Sequence, residues 1–171
     1  PLRQWQMNFD LGWTNWKRWD KLTVEFDQPI ALLQTASLFG VQDSSKLVLK
    51  RGYRNTITKG VGVQYQPTEK VTLRAGYENR PSSVSPSVFD LIAPLPDMQL
   101  FGVGMGYKFD KNSSVDVGAS LVRGTFNIPA GQSCNMNCSD FFNLIYNPYA
   151  GLNVRGDMYI RYLGVSFSKV F

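Results

Sequence analysis

An all-β fold, built as an antiparallel barrel that crosses a membrane, is what this sequence predicts, and three observations predict it. Apolar residues recur at every second position in seven short segments, the period of a strand. The apolar face of those segments carries aromatic side chains at both ends, while the other face is made of Gly, Ser, Thr and single charges. The connections between segments alternate strictly between short and long. Composition agrees: 13% of the residues are aromatic, 15 are Gly and none is His. No apolar run approaches the ~18 residues of a membrane-crossing helix.

The elements follow in order. QWQMNFDLGW sets Trp5, Met7, Phe9, Leu11 and Trp13 against Gln6, Asn8, Asp10 and Gly12. LTVEFD sets Leu22, Val24 and Phe26 against Thr23, Glu25 and Asp27. ITKGVGVQY places Ile57, Val61, Val63 and Tyr65 on one face, and after a QPTEK turn VTLRAGYE places Val71, Leu73, Ala75 and Tyr77 there, which makes a hairpin. FGVGMGYKF alternates Phe101, Val103, Met105, Tyr107 and Phe109 with Gly102, Gly104, Gly106 and Lys108; beyond DKNS, SVDVGASL alternates Val115, Val117, Ala119 and Leu121 with Asp116, Gly118 and Ser120. The closing RYLGVSFSKVF sets Leu163, Val165, Phe167 and Phe171 against Gly164, Ser166 and Ser168. Lys59 falls on the apolar face, so a bulge near Gly60 or a shallow position is expected there.

The apolar face is expected to meet lipid. Trp13, Tyr65, Phe109 and Phe171 form one aromatic level and Trp5, Tyr77, Phe101 and Tyr159 another, as at two membrane interfaces. A soluble ligand-binding barrel would turn that face inward. The links around 14–21, 66–70 and 110–113 are short and those around 28–47, 79–97 and 123–157 long, matching the periplasmic turns and extracellular loops of bacterial outer-membrane barrels. The C-terminus is then periplasmic, and Phe171 ends the closing strand in the periplasmic girdle. A terminal aromatic of this kind resembles the signal read by the barrel assembly machinery. Seven strands are odd, so a C-terminal half is expected that starts on the loop side. Its edge strands would pair with an N-terminal half, because an open edge is untenable in hydrocarbon.

The net charge of +5 comes from Lys and Arg scattered singly and at strand ends. That pattern argues against nucleic acid and fits contact with anionic lipid headgroups or lipopolysaccharide. Cys134 and Cys138 lie in CNMNC; without His and with two thiols a metal site lacks ligands, so a disulfide closing a small loop in an oxidising compartment is expected, a reduced pair being the alternative. No cofactor is expected. Asp10, Glu25, Arg74, Lys108 and Asp116 face the lumen; with no His to act as base they read as salt-bridge partners rather than as catalytic groups. Centring the DKNS hairpin sets Lys108 opposite Asp116 as a lumenal pair. PIALLQTASLFGV, VSPSVFDLIAPLPD and DFFNLIYNPY are apolar for loops that meet only water. They pack on each other, contact a hydrophobic substrate, or both. The candidate substrate contacts are Phe89, Leu91, Ile92, Phe141 and Phe142 in loops, Ile160 and Tyr162 on the last strand, and Arg74 for a substrate carboxylate.

At YQPTEKVTLRAGYENRPSSV, MQLFGVGMGYKFDKNSSVDVGASL and WTNWKRWDKLTVEF, the sequence resembles the FadL/TodX family of outer-membrane transporters. The resemblance implies that residues 1–171 are about seven strands, the C-terminal half of a fourteen-stranded barrel whose N-terminal plug and first strands belong to another part of the protein. It implies no enzyme activity but passive uptake of long-chain fatty acids or similar hydrophobic compounds. A general diffusion porin or a structural or adhesive barrel is the alternative. The expected partners are a hydrophobic ligand, outer-membrane lipid and lipopolysaccharide, the assembly machinery and the N-terminal half.

Overall fold

In the computed structural model the described residues are 4–19, 21–31, 34, 43–91, 93–138 and 149–170. They form eight strands: β1 (Trp5–Thr14), β2 (Lys21–Glu25), β3 (Lys46–Lys50), β4 (Thr56–Tyr65), β5 (Val71–Arg80), β6 (Asp97–Lys108), β7 (Ser113–Ile128) and β8 (Val154–Lys169). Six make one antiparallel sheet in the order β1-β4-β5-β6-β7-β8, and β2 and β3 form a separate hairpin. All seven expected strands are present, and β3 is additional, inside a connection that was expected to be a loop.

The placement of β2 and the direction of β1 differ from expectation. β1 pairs with β4, with Trp5 opposite Tyr65 and Trp13 opposite Ile57. Trp5 stacks on Tyr65 at 4.3 Å, so Trp5 rather than Trp13 shares the level of Tyr65. β1 therefore starts at the end of the sheet that holds the short turns, not at the loop end. Between β1 and its partner β4 the chain adds no strand to the wall, because β2 and β3 pair only with each other. The alternating pattern fixes which face a residue takes but is blind to strand direction and to the choice of neighbour.

Elsewhere the alternation holds through the middle of the wall strands. Leu11 on β1 and Leu163 on β8 are 76% and 79% exposed, which suits a lipid-facing surface and no aqueous one. β4 is regular through Lys59, which pairs with Leu11 and Asn79 without a bulge. Lys59 lies three residues from Thr56, the loop end of β4, so the cation is tolerated by its shallow position.

Among the described residues, the apolar core lies outside the wall. Val84, Phe89, Ile128 and Met136 cluster at the loop end, with Tyr53, Val88, Leu95, Phe126 and Val154 packed against them. Connections on the loop side thus fold onto one another as a cap. Two polar devices hold it. Arg51 meets Asp90 at 2.6 Å, and the second oxygen of Asp90 accepts the Ala93 amide at 3.0 Å. The Arg51 guanidinium is held above its ordinary value: burial alone pulls it down, and the Tyr53 hydroxyl and the Asp90 carboxylate outweigh that. Asn137, fully buried, donates to the carbonyls of Ile128, Pro129 and Leu152 at 3.2, 2.8 and 2.8 Å and accepts the Ser133 amide at 2.9 Å. One side chain so ties both roots of the β7–β8 connection.

Candidate ligand channel

Because side chains alternate along each strand, the even-numbered residues of β6, β7 and β8 share the inner face, and the register sorts them into cross-strand rows. Met98, Gly124 and Met158 form a row near the loop end, followed by Leu100, Val122 and Ile160. Gly102, Ser120 and Tyr162 come next, then Gly104, Gly118 and Gly164. Gly106, Asp116 and Ser166 lie below, and Lys108, Ser114 and Ser168 close the turn end. The face grades from apolar through glycine to polar and charged. A groove of about 840 Å³ covers the middle of this face, from Leu100 through Gly104 and Gly118 to Asp116 and Ser166, and extends across to Asp10 on β1 and Arg74 and Glu78 on β5.

The charged level is built on the glycines. Arg74 stands opposite Gln64 and Gly104. Its Nη1 donates to Asp116 Oδ1 at 2.6 Å and its Nε to Gln64 Oε1 at 3.0 Å. This bridge links β5 to β7 over the intervening β6. A Cβ on Gly106 would lie 2.6 Å from Asp116 Oδ1 and 3.3 Å from Arg74 Nη1, so only glycine leaves the pair its room.

The expected site residues fall into three groups. Arg74, Ile160 and Tyr162 are on the inner face as anticipated, with Ile160 in the apolar row and Tyr162 57% exposed. Phe89 is buried in the cap, its ring 4.8 Å from Phe126, whereas Leu91 is exposed. Ile92, Phe141, Phe142 and Phe171 lie outside the described residues.

Three expectations are corrected. Lys108 stands opposite Ser114, not Asp116; the Phe109 amide bonds the Ser113 carbonyl at 3.0 Å and Asp110 accepts the Asn112 amide at 2.7 Å, so the turn is centred one residue earlier and every opposed pair shifts by two. Asp116 is paired with Arg74 instead. Glu25 lies on β2, bonded to Lys46 at 3.0 Å, away from the inner face. Cys134 is exposed and Cys138 buried, and no disulfide joins them. Hydrogen bonds from the Asn137 and Cys138 amides to the Ser133 carbonyl, both 2.8 Å, close that turn and direct the two side chains to different environments.

Sequence reasoning missed Met98, Leu100, Val122 and Met158, and the Glu78–Arg80 pair at 2.6 Å. The signal for Val122 was there. The period of two in LVRGTFNI runs past Leu121, and three of its four even positions, Val122, Phe126 and Ile128, are apolar where the turn-end half has Ser114, Asp116, Gly118 and Ser120.

A two-faced antiparallel wall with lipid-suited residues outside, a graded groove inside and a packed cap at one end is the architecture of part of a transmembrane β-barrel. The family model described as outer membrane protein transport protein (OMPP1/FadL/TodX) matches residues 1–153, and the chain belongs to that family. It is similar to the long-chain fatty acid transport protein of Escherichia coli O6:H1 (strain CFT073), with 23% identity over 121 residues, 71% of this chain and 24% of that protein. The chain thus spans about a quarter of that relative's length.

Proposed function

We propose that this chain supplies part of the wall and the cap of a passive uptake route for long-chain fatty acids or similar hydrophobic compounds. The observation that carries the reading is the gradient on the inner face of β6, β7 and β8. An alkyl chain against Leu100, Val122 and Ile160 gains about 0.8 kcal/mol per buried CH₂, enough to capture it without many polar contacts. Below Tyr162 the all-glycine row of Gly104, Gly118 and Gly164 presents backbone, so the chain can slide past that row with no side chain to displace. A carboxylate head arriving at that level meets Arg74, where it can trade places with Asp116. A general diffusion pore needs a polar constriction, and the apolar row and packed cap disfavour it.

In this reading the turn end, with the C-terminus, faces the periplasm. Further strands of the same barrel pair with the free edges of β1 and β8, since unpaired backbone groups in hydrocarbon cost several kcal/mol each. The test is uptake of radiolabelled oleate by cells lacking their own fatty-acid importer and expressing the whole protein. Uptake of oleate, with no swelling of protein-containing liposomes in small sugars, is expected. Free passage of sugars with no gain in oleate uptake refutes the reading.

A further inference from the structure

The outward-facing residues of β7 from Val115 to Leu121 and of β8 from Leu163 to Phe167 are all apolar. At the loop end of this band the pattern changes abruptly. Arg123 stands opposite Tyr159, and Arg161 opposite Leu121, all on the outward face. Arg123 and Arg161 are thus diagonal neighbours on adjacent strands, a relation in which side-chain roots are about 7–8 Å apart. The Arg123 guanidinium lies over the Tyr159 ring at 5.9 Å. Among the described residues neither Arg makes an ion pair. Two outward carboxylates, Asp157 on β8 and Asp97 on β6, both stand opposite Thr125, diagonal to Arg123 and one step further out; neither makes an ion pair with it.

Two unneutralised guanidinium groups on a lipid-facing wall call for an anion at the membrane surface. Arg161 is eight residues above Lys169, the turn end of β8; at about 3.3 Å per residue and the tilt of barrel strands this is a rise of about 20 Å, near the outer edge of a band about 25 Å tall. Both cations therefore stand at the level of headgroups. Arg is suited to phosphate because its planar fork donates two parallel bonds. Directly below lie Leu121 and Leu163, which suit acyl chains.

We propose that Arg123 and Arg161 clasp a phosphate of a lipid A molecule in the outer leaflet, with its acyl chains laid on the Leu121 and Leu163 surface. Tyr159 acts as a positioning residue that holds the Arg123 head at the interface through its ring. The inference rests on the orientation given under Proposed function, which puts the loop end at the outer surface.

The test uses the full-length protein in detergent and native mass spectrometry with bisphosphorylated hexa-acyl lipid A, and with the same glycolipid stripped of phosphate. The wild type is expected to retain one bisphosphorylated molecule and to bind the dephosphorylated form at least about tenfold more weakly. The double variant Arg123→Gln/Arg161→Gln should lose that preference, each charged hydrogen-bond donor being worth about tenfold. Arg123→Lys/Arg161→Lys keeps the charge and should retain part of it. Equal retention of both glycolipids by the wild type overturns the proposal whether or not the Gln variant folds, as does a folded Gln variant, judged by heat-modifiable gel mobility, that keeps the full preference. Oleate uptake by the same proteins reports on the transport reading separately, because neither Arg faces the inner groove.

Discussion

Arg74 and Asp116 stand on strands that are not neighbours, and they meet at 2.6 Å above Gly106 of the strand between them. Charge, spacing and the missing Cβ act together at this one level of the groove. Both side chains are nearly half exposed, so the pair is worth at most about 1 kcal/mol in stability. Its importance lies in setting the charge presented to whatever passes.

Removing the carboxylate should leave Arg74 free to hold a ligand. Asp116→Asn is expected to bind oleate more tightly and release it more slowly, with melting changed by less than about 1 kcal/mol. Arg74→Gln should abolish the preference for oleate over oleyl alcohol. Fluorescence titration of the purified whole protein with both ligands measures this, and unchanged preference in Arg74→Gln contradicts the role given to Arg74.

Gly106→Ala places a methyl group 2.6 Å from the present position of Asp116 Oδ1, closer than the two atoms can stay. The barrel should assemble with the ion pair broken, so the variant should bind oleate as Asp116→Asn does. Gly102→Ala, where an added Cβ meets nothing within 4 Å, is the control and should behave as wild type. If both alanine variants bind oleate alike, the account of Gly106 is wrong.

The Arg51–Asp90 pair is over nine-tenths buried on both sides. Asp90→Ala strands a buried guanidinium and should destabilise the cap by about 3–5 kcal/mol. Adding Arg51→Met should restore much of the loss, since a buried ion pair replaced by apolar groups is often neutral. Hydrogen exchange of residues 81–96, with the strands as internal reference, reads out both effects. Protection unchanged in Asp90→Ala contradicts the assignment.

Asn137 saturates its side chain on four backbone groups. Asn137→Ala leaves several of them unsatisfied in a buried place and should cost roughly 2–4 kcal/mol locally. Faster exchange of the Ser133 amide, with strand melting unaffected, is the expected outcome.

Much of the wall was legible because period two is imposed by the backbone and read directly from residues such as Val61, Leu73, Val103 and Val117. What alternation cannot carry is direction: Trp5 and Trp13 lie on the same face either way, and pairing with Tyr65 chooses between them. Register across the β6–β7 hairpin was missed by two residues because Asp110 caps the turn through its side chain, a local bond that spacing alone does not reveal. The partnership of Arg74 with Asp116 depends on β6 lying between their strands with Gly106 at the crossing, so it needed the sheet order. The polar frame of the cap was illegible for a similar reason. Arg51 and Asp90 are separated by 39 residues, and nothing in either segment names the other.

The central claim is that a hydrophobic ligand travels along the inner face of β6, β7 and β8. Photocrosslinking of the whole protein with a diazirine-bearing fatty acid, followed by peptide mapping, tests it most directly. Labelling of Leu100, Val122 and Ile160 that excess oleate competes away, with labelling of the lipid-facing Leu121 and Leu163 unaffected by competitor, is the predicted result. Competed labelling confined to the lipid-facing residues, or labelling of the inner row that oleate does not diminish, would contradict it.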